Sequence, residues 1–271
     1  LNSGGNGAGL NLFDEYGHGF KMREIIPQKE KYDYDVSIII PAYNEEGRIG
    51  ATLKAIHRYF HGKPLTRQII VVNDGSSDNT AKVLDARREE ITDFIVISDS
   101  PNHGKGYAVK KGVEASQGKY ILFTDADNAT LIEEFEKFYP LLKYNEIVIG
   151  SRYLSESNIV VGQPWYRVLI GRLGNKLIQV LLLEGVKDTQ CGFKAFQHEA
   201  AREIFSRMRI NGFGFDIEIL SIARLLNFSV KETPVSWYNS SESRIRPIKD
   251  AIRTFGELVY IKLNLWSGRY L

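Results

Sequence analysis

Asp125 and Asp127, in the run KYILFTDADNAT, are two carboxylates one residue apart that close an apolar stretch of strand-like character. In an open α/β sheet, ligands bind beyond the carboxyl ends of the strands. A hard divalent cation such as Mg²⁺ there uses one or two carboxylates plus substrate phosphates. Asp125, Ala126 and Asp127 therefore read as a metal site able to hold a nucleotide diphosphate. A DxD pattern alone is weak, because paired aspartates also cap helices and fill solvated turns.

Other residues offer compatible chemistry. PAYNEE puts Pro41, Tyr43 and Glu45 at the end of another apolar run, where an aromatic face and an acceptor group suit a nucleobase and ribose. A plain turn before a helix with acidic first residues explains the same letters. In VNDGSSDNT, Asp74 can accept a hydrogen bond from a base N–H or form an Asx-turn, and Asp78 suits a helix cap. NHGKGYAV lacks the GxxxxGK[ST] spacing of a P-loop, which leaves Lys105 either near a phosphate or solvated at a helix start. Asp216 and Glu218, in FDIEIL, fit one structural role and one place near the substrate. His57 and His61 share a helical face without a carboxylate motif, and Cys191 has no redox or histidine partner in sequence.

Alternating elements must position these groups. Apolar runs at 36–40, 68–72, 94–97, 119–123 and 146–150 alternate with helical periodicity, the pattern of repeated βαβ units and a mostly parallel sheet. Ile49, Leu53, Ile56 and Phe60 mark a helix face on that sheet. After Gly150 the pattern predicts a helix over 165–183, a turn-prone DTQCGF, helices near 198–208 and 214–226, and a strand around 229–238. A Ser-rich loop and an amphipathic helix from Pro247 to about 266 follow. Residues 1–32 read as a flexible Gly- and Asn-rich arm, trimmed or appended, with natural sequence starting near Met22. The rest, 33–271, reads as one domain.

Composition narrows the class. Of 271 residues, 35 are Lys or Arg and 33 Asp or Glu, so the net charge of +2 argues against a bulk nucleic-acid binder. The single cysteine excludes an internal disulfide and a multi-cysteine zinc site, and suits a reducing, cytoplasmic compartment. No stretch approaches the roughly 20 apolar residues of a membrane-spanning helix.

In combination, VSIIIPAYNEE, IIVVNDGSSDNT, NHGKGYAVKKG and ILFTDAD, in this order and spacing, closely resemble the nucleotide-sugar half of family 2 inverting glycosyltransferases with the GT-A fold. IGSRY, DTQCGFKAF, FGFDIEIL and SSESR resemble polyprenyl-phosphate glycosyltransferases, especially the dolichyl-phosphate glucosyltransferases. The likeness covers about residues 35–265. It implies a Rossmann-like, mostly parallel sheet flanked by helices, with a nucleotide-sugar half over about 36–128 and an acceptor half over about 129–245.

The resemblance also assigns roles. Pro41, Tyr43, Glu45 and Asp74 become nucleoside contacts, and Asp125 and Asp127 hold Mg²⁺ or Mn²⁺ with the diphosphate; Lys105 and Ala126 belong to the same donor site. Arg244 would close over the diphosphate. Arg152 would contact the acceptor phosphate and offset its repulsion from the sugar diphosphate, and Asp188 and Gln190 would sit beside sugar and acceptor; by charge alone Arg167 and Arg172 could serve the same site, lipid head groups or a solvated helix face. Asp188 is the obvious general base, yet a phosphate acceptor, with a second pKa of about 6, hardly needs one, so Asp188 could orient Arg or Lys instead. Ala129 replaces a metal-binding Gln of mannosyl relatives, which favours glucose from UDP-glucose; GDP-mannose is the alternative donor. A carbohydrate hydroxyl acceptor and a noncatalytic nucleotide-sugar binding subunit are further alternatives. A lipid acceptor implies a peripheral enzyme on the cytoplasmic membrane face, where the terminal helix either rests on the bilayer or packs on the domain.

Overall fold

In a computed structural model of the chain, residues 31–160, 165–238 and 247–271 are described. The arm at 1–30 and the Ser-rich loop with Arg244 lie outside the described residues, as do the side chains of Arg167 and Arg172.

Tyr32–Leu271 forms one compact unit. Among the described residues, seven strands make its main sheet, in the order β3 (Phe94–Asp99), β2 (Arg67–Asp74), β1 (Tyr34–Ala42), β4 (Gly118–Thr124), β7 (Phe193–Gln197), β5 (Ile147–Ser151), β8 (Val230–Pro234). All run parallel except β7, which is antiparallel to both β4 and β5. Because the chain leaves β1 towards β2 and β3 but returns on its other side at β4, the topological switch point falls between β1 and β4.

Burial on both faces explains the continuous apolar runs. Along β1, Ile38 and Ile40 face one core, with Leu53 and Ile56 of α1 (Ile49–Phe60); Ile39 faces the other, with Val109 and Val113 of α3 (Lys105–Ala115). Each buried isoleucine contributes roughly 2 kcal/mol before entropy is counted. α6 (His198–Arg207) and α7 (Phe215–Leu225) extend the second core. The short α2 (Thr80–Asp85) starts where expected: Asp78 Oδ1 accepts from the Thr80 backbone N–H at 2.9 Å.

Two predicted elements differ, and one strand was not predicted. The strand expected over 229–238 breaks at Val235 into β8 and β9 (Ser236–Trp237), the latter pairing outside the main sheet with β6 (Asn158–Ile159). The helix predicted to Leu183 is α5 (Trp165–Leu181), and the Leu182 and Leu183 backbone N–H groups both turn back to Ile178 O. Strand β7 was not anticipated, because FKAFQ carries a lysine inside a buried run and follows directly on the turn.

α8 (Pro247–Trp266) does two things at once. Leu258 and Ile261 enter the second core, whereas Phe255, Val259, Leu263 and Trp266 recur along an exposed face. α8 lies beside α5, and Lys262 Nζ donates to Leu181 O at 2.9 Å. No helix among the described residues is long and apolar enough to cross a membrane.

Candidate active site

The carboxyl ends of β1, β2, β4 and β5 and the amino end of the reversed β7 share one rim of the sheet. Pro41, Tyr43 and Glu45 leave β1 there, Asp74 ends β2, Asp125 to Asp127 follow β4, Arg152 follows β5, and Asp188 and Gln190 precede β7. The sheet thus gathers these predicted positions from both halves of the chain.

The DAD loop is pinned from several sides. Asp125 N donates to Gly192 O at 3.2 Å, Thr52 Oγ1 donates to Ala126 O at 2.7 Å, and Tyr238 N donates to Ala129 O at 2.8 Å. Asp127 Oδ1 accepts from Ala129 N at 3.0 Å. Gly192 leaves room for the Asp125 carboxylate, which a Cβ there would overlap and displace. Lys105, the first residue of α3, places Nζ 2.7 Å from Asp125 Oδ1. Burial works against the Lys105 charge, but Asp125, Asp216 and Asp127 outweigh it and its pKa is raised. Burial, then repulsion from Asp125, pushes the Asp127 carboxyl above its usual range.

That arrangement suits a divalent cation. Two hard carboxylates are held close enough to repel, and among the described residues no third His, Cys, Asp or Glu completes a protein-only metal cluster. The remaining ligands must come from substrate oxygens or water, as is usual for Mg²⁺ at a phosphate site.

On the donor side, Arg48 was missed by sequence reasoning. It holds Glu45 in a two-pronged pair, with Nη2 at 2.6 Å and Nε at 2.7 Å from Oε2, and its charge also stabilises ionised Asp127. The signal was an arginine three residues after Glu45 at a helix start, easily read as solvated. Asp74 is almost fully enclosed. It accepts from Gly104 N at 2.7 Å, Asn102 Nδ2 at 2.9 Å and His103 N at 3.0 Å, so in this geometry it clamps the loop before α3. These bonds reach across 28 to 30 residues, so Asp74 forms a long-range clamp in place of the local Asx-turn that its sequence also allowed.

On the acceptor side, Asp188 faces Arg152. Arg152 Nε and Nη2 donate at 2.7 and 2.9 Å, and the Arg152 backbone N–H adds a bond of 2.9 Å. Burial would raise the Asp188 pKa, but Arg152 outweighs it and holds the carboxyl below the usual carboxylate range. In this geometry the carboxylate is buried, committed to Arg152 and weakly basic, which accords with the orienting alternative for Asp188. Arg152 also lies 5.6 Å above the Trp237 ring. Gln190 is exposed nearby, and burial pushes the Cys191 thiol up to about 12, which makes it inert.

Beneath the rim lies a second residue that sequence reasoning missed. Lys194 of β7 is fully buried and donates to Asp216 Oδ1 at 2.5 Å and to Cys191 O at 2.6 Å. The clue was one lysine inside an apolar strand run. Asp216 also raises the Lys105 pKa, so it adjoins the DAD loop, while Glu218 faces inward and accepts from Ile210 N at 2.7 Å.

A mostly parallel sheet with carboxylates at its switch point has the architecture of an α/β protein that takes its ligand at that rim. The family model for glycosyl transferase family 2 matches residues 37–205, and the chain belongs to that family. Curated relatives named dolichyl-phosphate beta-glucosyltransferase share 34% identity in Dictyostelium discoideum, over 86% of this chain and 75% of that protein. In Homo sapiens the figures are 31% over 87% and 77%, and in Saccharomyces cerevisiae 31% over 95% and 83%. Among solved structures, mannosyl-3-phosphoglycerate synthase from Rubrobacter xylanophilus superposes with TM-score 0.62 at 21% identity, covering 87% of this chain and 75% of that one. Glucosyl-3-phosphoglycerate synthase from Mycobacterium tuberculosis, in complex with Mn²⁺, UDP-glucose and phosphoglyceric acid, gives 0.60 at 20% over 85% and 80%. At these identities the structural likeness establishes the GT-A fold.

Proposed function

We propose that this chain transfers glucose from UDP-glucose to dolichyl or another polyprenyl phosphate, with inversion at the anomeric carbon. The observation that carries the reading is the shared rim: a DAD loop pinned at the switch point, facing an Arg152–Asp188 pair presented from the other half of the chain. The names of the relatives supply the sugar and the lipid phosphate.

Asp125 and Asp127 would hold Mg²⁺ or Mn²⁺, which supplies charge neutralisation for a diphosphate leaving group. Pro41, Tyr43 and Glu45 border the nucleoside end, with Glu45 braced by Arg48. Arg152, oriented by Asp188, aligns the attacking phosphate. One phosphate oxygen forms a bond to the anomeric carbon as the bond to UDP breaks, and that electron pair leaves on the diphosphate. The phosphate is largely dianionic at neutral pH, so no proton need be removed. Arg244 over the diphosphate is assigned from the resemblance, and Arg167 and Arg172 are placed near the acceptor or its lipid head groups by their charge. Catalysis then rests on positioning and fixed charge.

The lipid acceptor calls for a peripheral protein on the cytoplasmic face of a membrane. The exposed face of α8, with Leu173, Leu177 and Val180 exposed on adjoining α5, supports that placement.

The test is product formation by the purified chain with polyprenyl phosphate, Mg²⁺ and labelled UDP-glucose or GDP-mannose, followed by lipid extraction. Lipid label from UDP-glucose is expected. Label from GDP-mannose alone would replace the sugar assignment, and no label from either donor would sink the lipid-acceptor reading.

A further inference from the structure

We infer that Tyr270 and Glu218 are positioning residues of the donor site: acting through the 208–212 loop, they hold the start of α3, and with it Lys105, against Asp125. The inference rests on the reading of the DAD loop as the donor site.

Glu218 is a fully buried carboxyl on α7, and a buried carboxyl without partners is costly. Its partners are specific. Oε2 accepts from the backbone N–H groups of Arg209 at 3.1 Å and Ile210 at 2.7 Å, and Oε1 accepts from Tyr270 Oη at 2.7 Å. Tyr270 is itself fully buried, with Asn264 Nδ2 3.5 Å from its oxygen. The segment after α8 therefore fixes one end of the 208–212 loop through a single carboxylate.

The next residue of that loop continues the chain of contacts. Asn211 O accepts from Gly106 N at 2.8 Å and Tyr107 N at 3.3 Å, which are first-turn donors of α3 with no partner inside the helix. Gly104, at φ +114°, allows this approach, since a Cβ there would lie 2.5 Å from Asn211 O. Asp74 holds the same point from the opposite side through His103 N and Gly104 N. The start of α3 is thus gripped between the end of β2 and the 208–212 loop. Lys105 is its first residue, and its Nζ meets Asp125 Oδ1 at 2.7 Å.

Nothing in this chain of contacts touches the acceptor-side pair of Arg152 and Asp188. Loosening it should weaken donor binding selectively, because an error of about 1 Å at a reacting centre can cost 10²-fold.

The experiment uses the full chain. Tyr270→Phe keeps the ring in place and removes the hydroxyl, and thermal melting checks that the variant is folded. Its KM for UDP-glucose should rise about three- to tenfold with the KM for polyprenyl phosphate unchanged. Glu218→Gln, which leaves one oxygen for three donors, should shift the donor KM further in the same direction. In a Lys105→Met background, Tyr270→Phe should add nothing to the donor KM, since the route to Asp125 is already cut. Donor and acceptor KM moving together, or effects that multiply in the double variant, would reduce Tyr270 to a general structural role and overturn the inference. An unchanged donor KM in folded Tyr270→Phe would overturn it too. Wild-type protein that binds no UDP-glucose in the presence of Mn²⁺ would remove the donor-site reading, and the inference with it.

Discussion

Asp188 takes three hydrogen bonds from Arg152, two from the guanidinium and one from the backbone N–H, all between 2.7 and 2.9 Å. A side chain and its own main chain are therefore fixed by one carboxylate, so the direction of the arginine fork is set by the end of β5. The pair is a cationic fork held in place by its own carboxylate.

Asp188→Asn should lower transfer strongly and leave the shape of the pH–rate profile unchanged, since no proton-accepting group is lost. Stability should fall by the order of 3 kcal/mol, because Arg152 loses a buried partner. Rate against pH and urea titration of the same preparation check both. Loss of the rising, acidic limb of the profile would restore Asp188 as the base.

Acid stability carries a second signature of this residue. The folded pKa of Asp188 lies below its ordinary 3.8, so its contribution is complete above the unfolded value and is lost as pH falls through the folded one. Below about pH 4, the melting temperature of wild type should drop more steeply than that of Asp188→Asn. Parallel curves would contradict the assignment.

Gly192→Ala should give a folded protein with little metal-dependent activity. The methyl group meets the end of the Asp125 side chain, which can swing away at small cost to stability but with loss of its place in the site. Near-normal melting together with at least tenfold weaker Mn²⁺ activation is the expected pair of results. Full activity would mean that Asp125 need not stay where it is.

Lys194→Met alone should destabilise by about 3–5 kcal/mol, because Asp216 is left buried without its cation. Adding Asp216→Asn should recover a large part of that loss. Denaturant titration of both single variants and the double variant measures the coupling, and additive losses would show that the pair acts as two separate residues.

Trp266→Ser with Leu263→Ser should reduce co-sedimentation with anionic lipid vesicles severalfold while leaving UDP-glucose binding intact. Both side chains are largely exposed, so the fold has little to lose. Vesicle binding equal to wild type would detach α8 from the membrane proposal.

Most of the donor half was legible because its signals are local. Apolar runs that end in Pro41, Asp74 and Asp125 announce buried strands and the residues at their tips, and the structure confirms each strand within a few residues. β7 was hidden because its pairing is long-range and Lys194 breaks the apolar pattern, although Asp216 satisfies it 22 residues later in the chain. Arg48 was hidden for a related reason: its meaning comes from Asp127, which sequence spacing does not bring near it. For Asp188 the sequence left two roles open, base or holder of a cation, and only three-dimensional contact shows the carboxylate bonded to Arg152.

The reversed strand β7 has a consequence for how the protein can move. It hydrogen-bonds to β4 on one side and β5 on the other, so the strands that end in the DAD loop and in Arg152 are sewn into a single sheet by the same strand. Opening like a clamshell would require tearing a ladder in the middle of the core. Substrate arrival and product departure therefore fall to the rim segments, while amide protons along β7 should exchange as slowly during turnover as at rest.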